Sequence, residues 1–227
     1  MKRSLFACVG LMAVATSAFA ADLPRRYPPP VPYKAPIYAP IYNWTGFYLG
    51  INGGGGWGRS SWDSGVFGST GGFDVSGGLV GGTAGYNFQT GPAVFGIEGD
   101  IDWTNIRGST SGLTCAPGTC FTRNTYLATI RGRLGYAWDR VMPYVTGGVA
   151  FGNIKANFTG LPESSSDRTG WTVGAGIEGA LFGNVTAKLE YLYVDLDSFT
   201  CPVGSCGLPT TVNFNTNIVR AGLNVRF

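Results

Sequence analysis

Asp100 and Asp102 are the residues whose type and spacing come nearest to those of acid–base catalysis, in which two neighbouring carboxyl groups can share the work of proton transfer. The chain has no histidine, although hydrolytic enzymes usually depend on a histidine general base. The two aspartates also alternate along an apparent β-strand, so both project from one face and can pair with Arg131 and Arg133 on the next strand. The sequence therefore favours structural ion pairs, and we expect no enzyme activity and no cofactor.

Four cysteines form two close pairs, Cys115 with Cys120 in CAPGTC and Cys201 with Cys206 in CPVGSC. Four thiolates can bind zinc, but Pro and Gly between the cysteines and the absence of histidine favour two local disulfides. Zinc and cross-linking between the two segments are the alternatives. Disulfides imply an oxidising compartment, and no metal site is expected.

The N-terminus has the pattern of a cleaved signal peptide over residues 1–20. Lys2 and Arg3 precede an apolar stretch, residues 5–14, and small residues follow at Ala18 and Ala20. The apolar stretch is shorter than the roughly 20 residues that span a membrane. We expect cleavage before Ala21, which also removes the fifth cysteine.

Residues 21–43 are rich in proline, which cannot donate to a sheet ladder, and predict a periplasmic tail or linker. Its basic residues and tyrosines allow contact with peptidoglycan as an alternative to a solvated spacer. Without Lys2 and Arg3 the exported chain has 14 basic and 13 acidic residues. This balance gives no electrostatic reason to expect a nucleic acid partner.

From Trp44 to the C-terminus the sequence predicts eight strands of the length that a tilted membrane strand needs. The predicted spans are 44–57, 76–89, 93–106, 123–138, 141–156, 169–182, 185–197 and 214–227. Connections after the even-numbered strands are tight, and those after the odd-numbered strands are long. This alternation is typical of an all-β, eight-stranded antiparallel transmembrane β-barrel with short periplasmic turns and long extracellular loops. We expect the barrel to comprise residues 44–227.

Residues of opposite character alternate along these strands, apolar on one face and polar or charged on the other. In a closed barrel the charged face would line the lumen, where each ion must be paired because an isolated buried charge costs several kcal/mol. The expected lumen network contains five acids and five bases: Glu98, Asp100, Asp102, Glu178, Glu190, Arg131, Arg133, Lys188, Arg220 and Arg226.

Aromatic residues on the outward face predict two belts at the membrane interfaces. The belt at the turn rim comprises Phe88, Phe95, Tyr136, Trp138 and Phe227, and the belt at the loop rim comprises Trp103, Trp171 and Tyr193.

The chain resembles the small outer-membrane β-barrel family of alphaproteobacteria that includes the surface immunogenic proteins and is related to opacity-type barrels. The likeness extends over the mature chain through AADLP, the Pro/Tyr tail, WTGFYLGINGGGGWG, RGRLGYAWDRVMPYVTGGVAFG, GWTVGAGIEGALFGNVTAKLEYLYVDL and the final VRF. It implies an eight-stranded barrel in the outer membrane that is associated with envelope integrity. It also implies that Phe227 is a signal for the barrel assembly machinery.

We therefore expect a structural outer-membrane protein of a Gram-negative bacterium, with a filled polar lumen and loops displayed at the surface. Its expected partners are outer-membrane lipid, lipopolysaccharide and the assembly machinery. A narrow passive pore is one alternative, although eight strands enclose an interior that side chains fill. Adhesion or ligand binding by the loops, to host surfaces or haem for example, is another.

Overall fold

The computed structural model describes residues 42–65, 68–111, 115, 118–206 and 209–227. Its eight long strands are β1 (Gly46–Ser64), β2 (Phe73–Thr90), β3 (Ala93–Thr110), β4 (Cys120–Tyr136), β5 (Val141–Phe158), β6 (Ser164–Phe182), β7 (Val185–Cys201) and β8 (Thr210–Arg226). Each strand pairs antiparallel with the next, and β8 pairs with β1 from Tyr48↔Arg226 to Ser64↔Thr210. The sheet is therefore closed, and the predicted eight-stranded barrel is confirmed.

Two smaller elements lie at the loop rim. The short strand Gly68–Ser69 pairs with the end of β1, and the four-residue helix Val203–Cys206 lies between β7 and β8. No helix in the described ranges is long and apolar enough to cross a membrane. The predicted signal peptide and nearly all of the predicted tail, up to residue 41, lie outside the described residues.

The tight turns lie at one rim and join β2 to β3, β4 to β5, and β6 to β7. Gly91, Asp139 and Gly183 have positive φ angles of 57°, 52° and 52° in these turns, a conformation that suits the twist of short hairpin loops. Trp44 closes this rim from inside: its indole Nε1 donates to the carbonyl of Asp139 at 3.2 Å, and its backbone N–H donates to Gln89 Oε1 at 2.7 Å. The segment before β1 is therefore hydrogen-bonded to the end of β2 and to the turn between β4 and β5.

All eight strands extend further towards the loop rim than the sequence predicts. β1 continues to Ser64 instead of residue 57, and β8 begins at Thr210 instead of residue 214. In these extensions the outward residues become polar and the inward ones apolar, as in Asn213 and Asn215 against Val212 and Phe214. This inversion is expected where water instead of lipid surrounds the barrel, so the wall continues beyond the membrane.

The outward face below these extensions is an exposed apolar band with aromatic residues at both edges. Residues of the predicted turn-rim belt are exposed, including Phe95, Trp138 and Phe227, as are Trp103 and Trp171 of the loop-rim belt. Trp57 of β1 adds to the loop-rim belt, and it was not assigned from sequence because the glycines around it left the register of β1 undetermined.

The interior has three layers instead of the uniformly polar lumen that the sequence led us to expect. At the turn rim, Trp44, Val94, Met142 and Tyr144 form a small buried cluster. Charged and polar side chains fill the middle. At the loop rim, a larger buried apolar cluster includes Trp62, Phe73, Val75, Leu79, Ile106, Leu127, Ile154, Leu192, Val194, Leu196, Phe199, Val212, Phe214, Ile218 and the four cysteines.

Adjacent glycines of β5 provide a test of which face is crowded. A Cβ on Gly148 would lie 2.7 Å from the Cα of Arg131, whereas one on Gly147 would lie 3.5 Å from the carbonyl oxygen of Thr172. Gly148→Ala is therefore expected to destabilise the barrel by about 1–3 kcal/mol, because backbone atoms must move. Gly147→Ala is expected to be neutral or slightly stabilising.

Urea unfolding of the two refolded variants, followed by the change in gel migration on unfolding, measures the difference. Equal midpoints for Gly147→Ala and Gly148→Ala would contradict the assigned strand register.

Candidate functional site

Five strands supply the charged residues of the middle layer, at alternate positions that point inward. β3 carries Glu98, Asp100 and Asp102, β4 carries Arg131 and Arg133, β6 carries Glu178, β7 carries Lys188 and Glu190, and β8 carries Arg220. All nine are buried. The structure therefore brings nine of the ten predicted network residues together, and we call these nine residues the lumen network.

Arg131 lies at the centre of the lumen network. Its Nη2 contacts Glu98 Oε1 at 2.5 Å and Asp100 Oδ2 at 2.8 Å, and its Nη1 contacts Glu190 Oε1 at 3.0 Å. Its Nε donates to the hydroxyl of Thr129 at 2.9 Å. One guanidinium thus joins β4 to its neighbour β3 and, across the lumen, to β7.

Arg220 makes a second set of contacts across the barrel. Its Nη1 lies 3.0 Å from Asp100 Oδ1 and 2.6 Å from Asp102 Oδ2, and its Nη2 lies 2.8 Å from Glu190 Oε2. The sequence predicted that Asp102 pairs with the β4 arginines, but its ion pair is with Arg220 of β8. The reason is that the narrow lumen brings side chains of non-neighbouring strands within reach.

The remaining two bases lie towards the turn rim. Arg133 forms an ion pair with Glu178 and lies 3.8 Å from Glu98, and its guanidinium carbon is 3.7 Å from the centre of the Tyr144 ring. Lys188 Nζ contacts Glu98 at 2.9 Å. Glu98 therefore links several bases, and the ion pairs form one connected system.

Neutral donors add to the carboxylate contacts. The hydroxyl of Tyr48 donates to Glu98 at 2.8 Å, that of Thr129 to Asp100 at 2.7 Å and that of Tyr144 to Glu190 at 3.1 Å. Thr186 and Asn224 donate to Glu178. None of these five residues was assigned to the network from sequence, although the alternation places Thr129 and Asn224 on the polar faces of their strands.

Arg226 does not belong to the lumen network, contrary to the sequence prediction. It is only partly buried, and its guanidinium carbon lies 4.4 Å from the centre of the Tyr42 ring. Asn224, two residues nearer the barrel centre on the same face, takes the position beside Glu178. The lumen network therefore has five acids and four bases, and Asn224, a neutral donor, binds Glu178 where a fifth cation was expected.

The cysteines form two local disulfides. Cys115 bonds to Cys120 and Cys201 to Cys206, with Cα–Cα distances of 5.7 and 5.9 Å. All four lie in the apolar cluster at the loop rim, so the bridges cap the interior at this rim.

Phe227 is 75% exposed, and its backbone N–H donates to the carbonyl of Phe47 at 2.8 Å. The C-terminal residue is thus held in the barrel wall with its ring facing outward. Its role as an assembly signal stays a prediction.

A closed antiparallel barrel with an apolar outer band, two aromatic belts and buried ion pairs defines the transmembrane β-barrel class of outer-membrane proteins. The sequence matches the family described as outer membrane protein beta-barrel domain over residues 6–227. The chain belongs to this family, and the predicted outer-membrane location is confirmed.

Three relatives support the assignment over most or all of the chain. The chain is 41% identical to the 31 kDa outer-membrane immunogenic protein of Brucella melitensis, covering 100% of both chains. It is 32% identical to the 25 kDa outer-membrane immunogenic protein of Brucella abortus, covering 100% of this chain and 99% of the relative. It is 34% identical to the 22 kDa outer membrane protein of Rhizobium leguminosarum, covering 86% and 82%.

Two solved structures of outer-membrane proteins are similar to this chain at low sequence identity. Neisserial surface protein A superposes with a TM-score of 0.47 at 17% identity, covering 81% of this chain and 98% of that one. The outer membrane protease OmpT of Escherichia coli has a TM-score of 0.50 at 8% identity, covering 80% and 97%. The likeness to the protease is one of fold alone.

Proposed function

We propose that this protein is a structural component of the outer membrane, a barrel that is closed to ions, contributes to envelope integrity and displays its loops at the cell surface. The observation that carries the proposal is the lumen network, nine buried ionic side chains enclosed between two apolar layers. An open pore would leave such groups in contact with water.

The order of the layers supports closure. An ion entering from outside would first meet the apolar cluster at the loop rim, where no water could hydrate it. It would then meet arginines and carboxylates already bound to one another, and finally Trp44 and Met142 at the turn rim. Each layer adds its own barrier to ion passage.

The contacts of the two aspartates favour a structural role over catalysis. Asp100 is bound by Arg131, Arg220 and Thr129, and Asp102 by Arg220, all inside the barrel. A general base must be within reach of the proton that it abstracts. A substrate would have to cross one of the apolar layers to reach either carboxylate.

Surface display would be the task of the four loops, and the Brucella relatives are named as immunogenic proteins. The disulfides beneath these loops would limit their unfolding and slow their proteolysis. The proline-rich segment 21–43 would extend into the periplasm and contact peptidoglycan. Assembly would use the barrel assembly machinery, with Phe227 as its signal.

Two measurements test this proposal. Pure refolded protein in a planar bilayer is expected to give no stable conductance, with gel migration that changes on heating as the control that the sample is folded. A strain lacking the protein is expected to be more sensitive to detergent and to recover when the full chain is restored. A large, stable conductance would refute closure, and unchanged detergent sensitivity would refute the role in envelope integrity.

A further inference from the structure

Three cations lie side by side on the outer surface of the barrel. Arg107 of β3 is directly opposite Arg123 of β4, and Arg123 is directly opposite Lys155 of β5. Like charges in opposite positions destabilise a sheet, and among the described residues neither arginine forms an ion pair. Lys155 contacts Glu163 at 3.5 Å, but both side chains are partly exposed, so the pair neutralises little. We call Arg107, Arg123 and Lys155 the basic cluster.

A β-bulge positions the basic cluster just above the membrane. Trp103 of the loop-rim belt is directly opposite Tyr126 of β4. From there towards the loop rim, the register shifts at Thr125. Because of this extra residue, Arg123 and Tyr126 point outward although three positions separate them. Arg107 lies about 13 Å along β3 from Trp103, at 3.3 Å per residue, the level at which lipid headgroups are expected.

The basic cluster surrounds a surface pocket of about 550 Å³ that Ser109, Phe121, Asn157 and Glu163 also line. This volume is in the range of about 300–1,000 Å³ that is usual for small-molecule sites. The carboxylate of Glu163 contacts Lys155, so the uncompensated positive charge at the pocket comes from the two arginines. Hydroxyl, amide and cationic donors around one concavity suit a phosphate group. Asp167 of β6 is an outward acid on the membrane side of the pocket. Its carboxylate already accepts hydrogen bonds from Tyr126 at 3.1 Å and from Asn153 at 2.8 Å.

An apolar groove runs down the lipid-facing wall beside these strands, mainly over β1–β4 with Phe151 of β5 at its edge. A hollow of about 690 Å³ lies beside Ile101, Trp103 and Phe151. It meets a second hollow of about 470 Å³ that reaches Phe227 at the turn rim. Ala84, shared by both, and Ala128 form part of the floor, where small side chains leave room between larger ones. Straight hydrocarbon chains fit such a groove.

Cations above an apolar groove match an amphiphile with phosphate at its head and several acyl chains. We propose that this side of the barrel binds lipid A of lipopolysaccharide in the outer leaflet, with phosphate at the basic cluster on β3–β5 and acyl chains in the groove over β1–β4. The outward charges on β6 and β7 are instead acidic, at Asp167, Asp195 and Asp197, so the site is confined to one side of the barrel. Lipid binding at this face is independent of whether the lumen is closed.

Native mass spectrometry of the refolded full-length mature chain in detergent tests this site. Diphosphoryl lipid A is expected to bind the wild type at least tenfold more tightly than Arg107→Gln/Arg123→Gln, which loses two cations but keeps a polar side chain at each position. Arg59→Gln, which removes an exposed arginine of β1, is expected to bind like the wild type. Equal binding by the double variant and the wild type would overturn the proposal.

Further ligands separate lipid from free phosphate. Inorganic pyrophosphate and dephosphorylated lipid A are each expected to bind at least tenfold more weakly than diphosphoryl lipid A. Ala84→Phe, which fills the groove, is expected to weaken lipid A binding without changing pyrophosphate binding. If pyrophosphate binds as well as lipid A, or if the groove holds a second copy of the chain and Ala84→Phe abolishes dimers, the lipid assignment is wrong.

Discussion

Arg131→Met is expected to lower the free energy of unfolding by about 3–5 kcal/mol, the usual cost of removing one partner from a buried ion pair. Arg131 is fully buried and contacts Glu98, Asp100 and Glu190. Without it the lumen network has five acids and three bases, and three carboxylates lose a hydrogen-bonding cation where water does not reach. Urea titration of protein refolded in lipid vesicles, followed by heat-dependent gel migration, measures the loss.

Two comparisons show whether charge is the cause. Arg59→Met removes an exposed arginine, 3.9 Å from Asp74, and is expected to change stability by no more than about 0.5 kcal/mol. Adding Glu190→Gln to Arg131→Met restores the original charge difference and is expected to recover part of the loss. A stability of Arg131→Met equal to that of Arg59→Met would mean that the lumen network is hydrated and does not hold the barrel together.

Phe214→Ala is expected to cost about 3–5 kcal/mol because it leaves a large cavity in the apolar cluster at the loop rim. Phe214 is 2% exposed within that cluster. The loss of stability should be greatest in the part of the barrel beyond the membrane, because the apolar cluster at the loop rim is the core of that part. Limited proteolysis of vesicle-inserted protein is expected to cleave the strand ends near the loops while the segments within the membrane stay protected.

The neighbouring residue Asn215 points outward and provides the matched control. Asn215→Ala is expected to change the free energy of unfolding by no more than about 0.5 kcal/mol. Its proteolysis pattern is expected to match that of the wild type. Should Phe214→Ala prove as stable and as protease-resistant as Asn215→Ala, the extensions of the strands would not share a packed core.

Much of the fold could be predicted from sequence because a membrane strand is a local pattern. Alternation along β3 and β4 placed Glu98 and Arg131 inside and Ile97 and Ile130 outside, as the structure has them. Short and long connections gave the number of strands and which rim has the tight turns. The cysteine spacing favoured two local disulfides, and the structure has both.

The pattern failed where the surroundings of a strand change along its length. On β7 the inward residues change from Lys188 and Glu190 to Leu192 and Val194, and on β8 the same change occurs above Arg220. The predicted strands stop short of the loop rim because a lipid-facing outer wall is expected along their whole length. The inversion itself, polar outside and apolar inside, marks where the barrel leaves the membrane.

Strand irregularities were also decided only in three dimensions. Arg123 is an odd-numbered residue like Arg131 and Arg133, so strict alternation would point it inward. The bulge at Thr125 instead turns it outward. A bulge depends on how a strand fits both neighbours in register, which the alternation along β4 does not show.

The sequence by itself determined the number of strands, the faces of most of them and the ionic character of the middle of the interior, because these follow from a repeat of two residues in contact with lipid on one side. Only the tertiary structure decided which ions meet. Arg220 reaches Asp102 across the lumen, whereas Arg226 lies against Tyr42 at the rim. Those partners depend on strand stagger and barrel width, which arise when the sheet closes and side chains from non-neighbouring strands share one space.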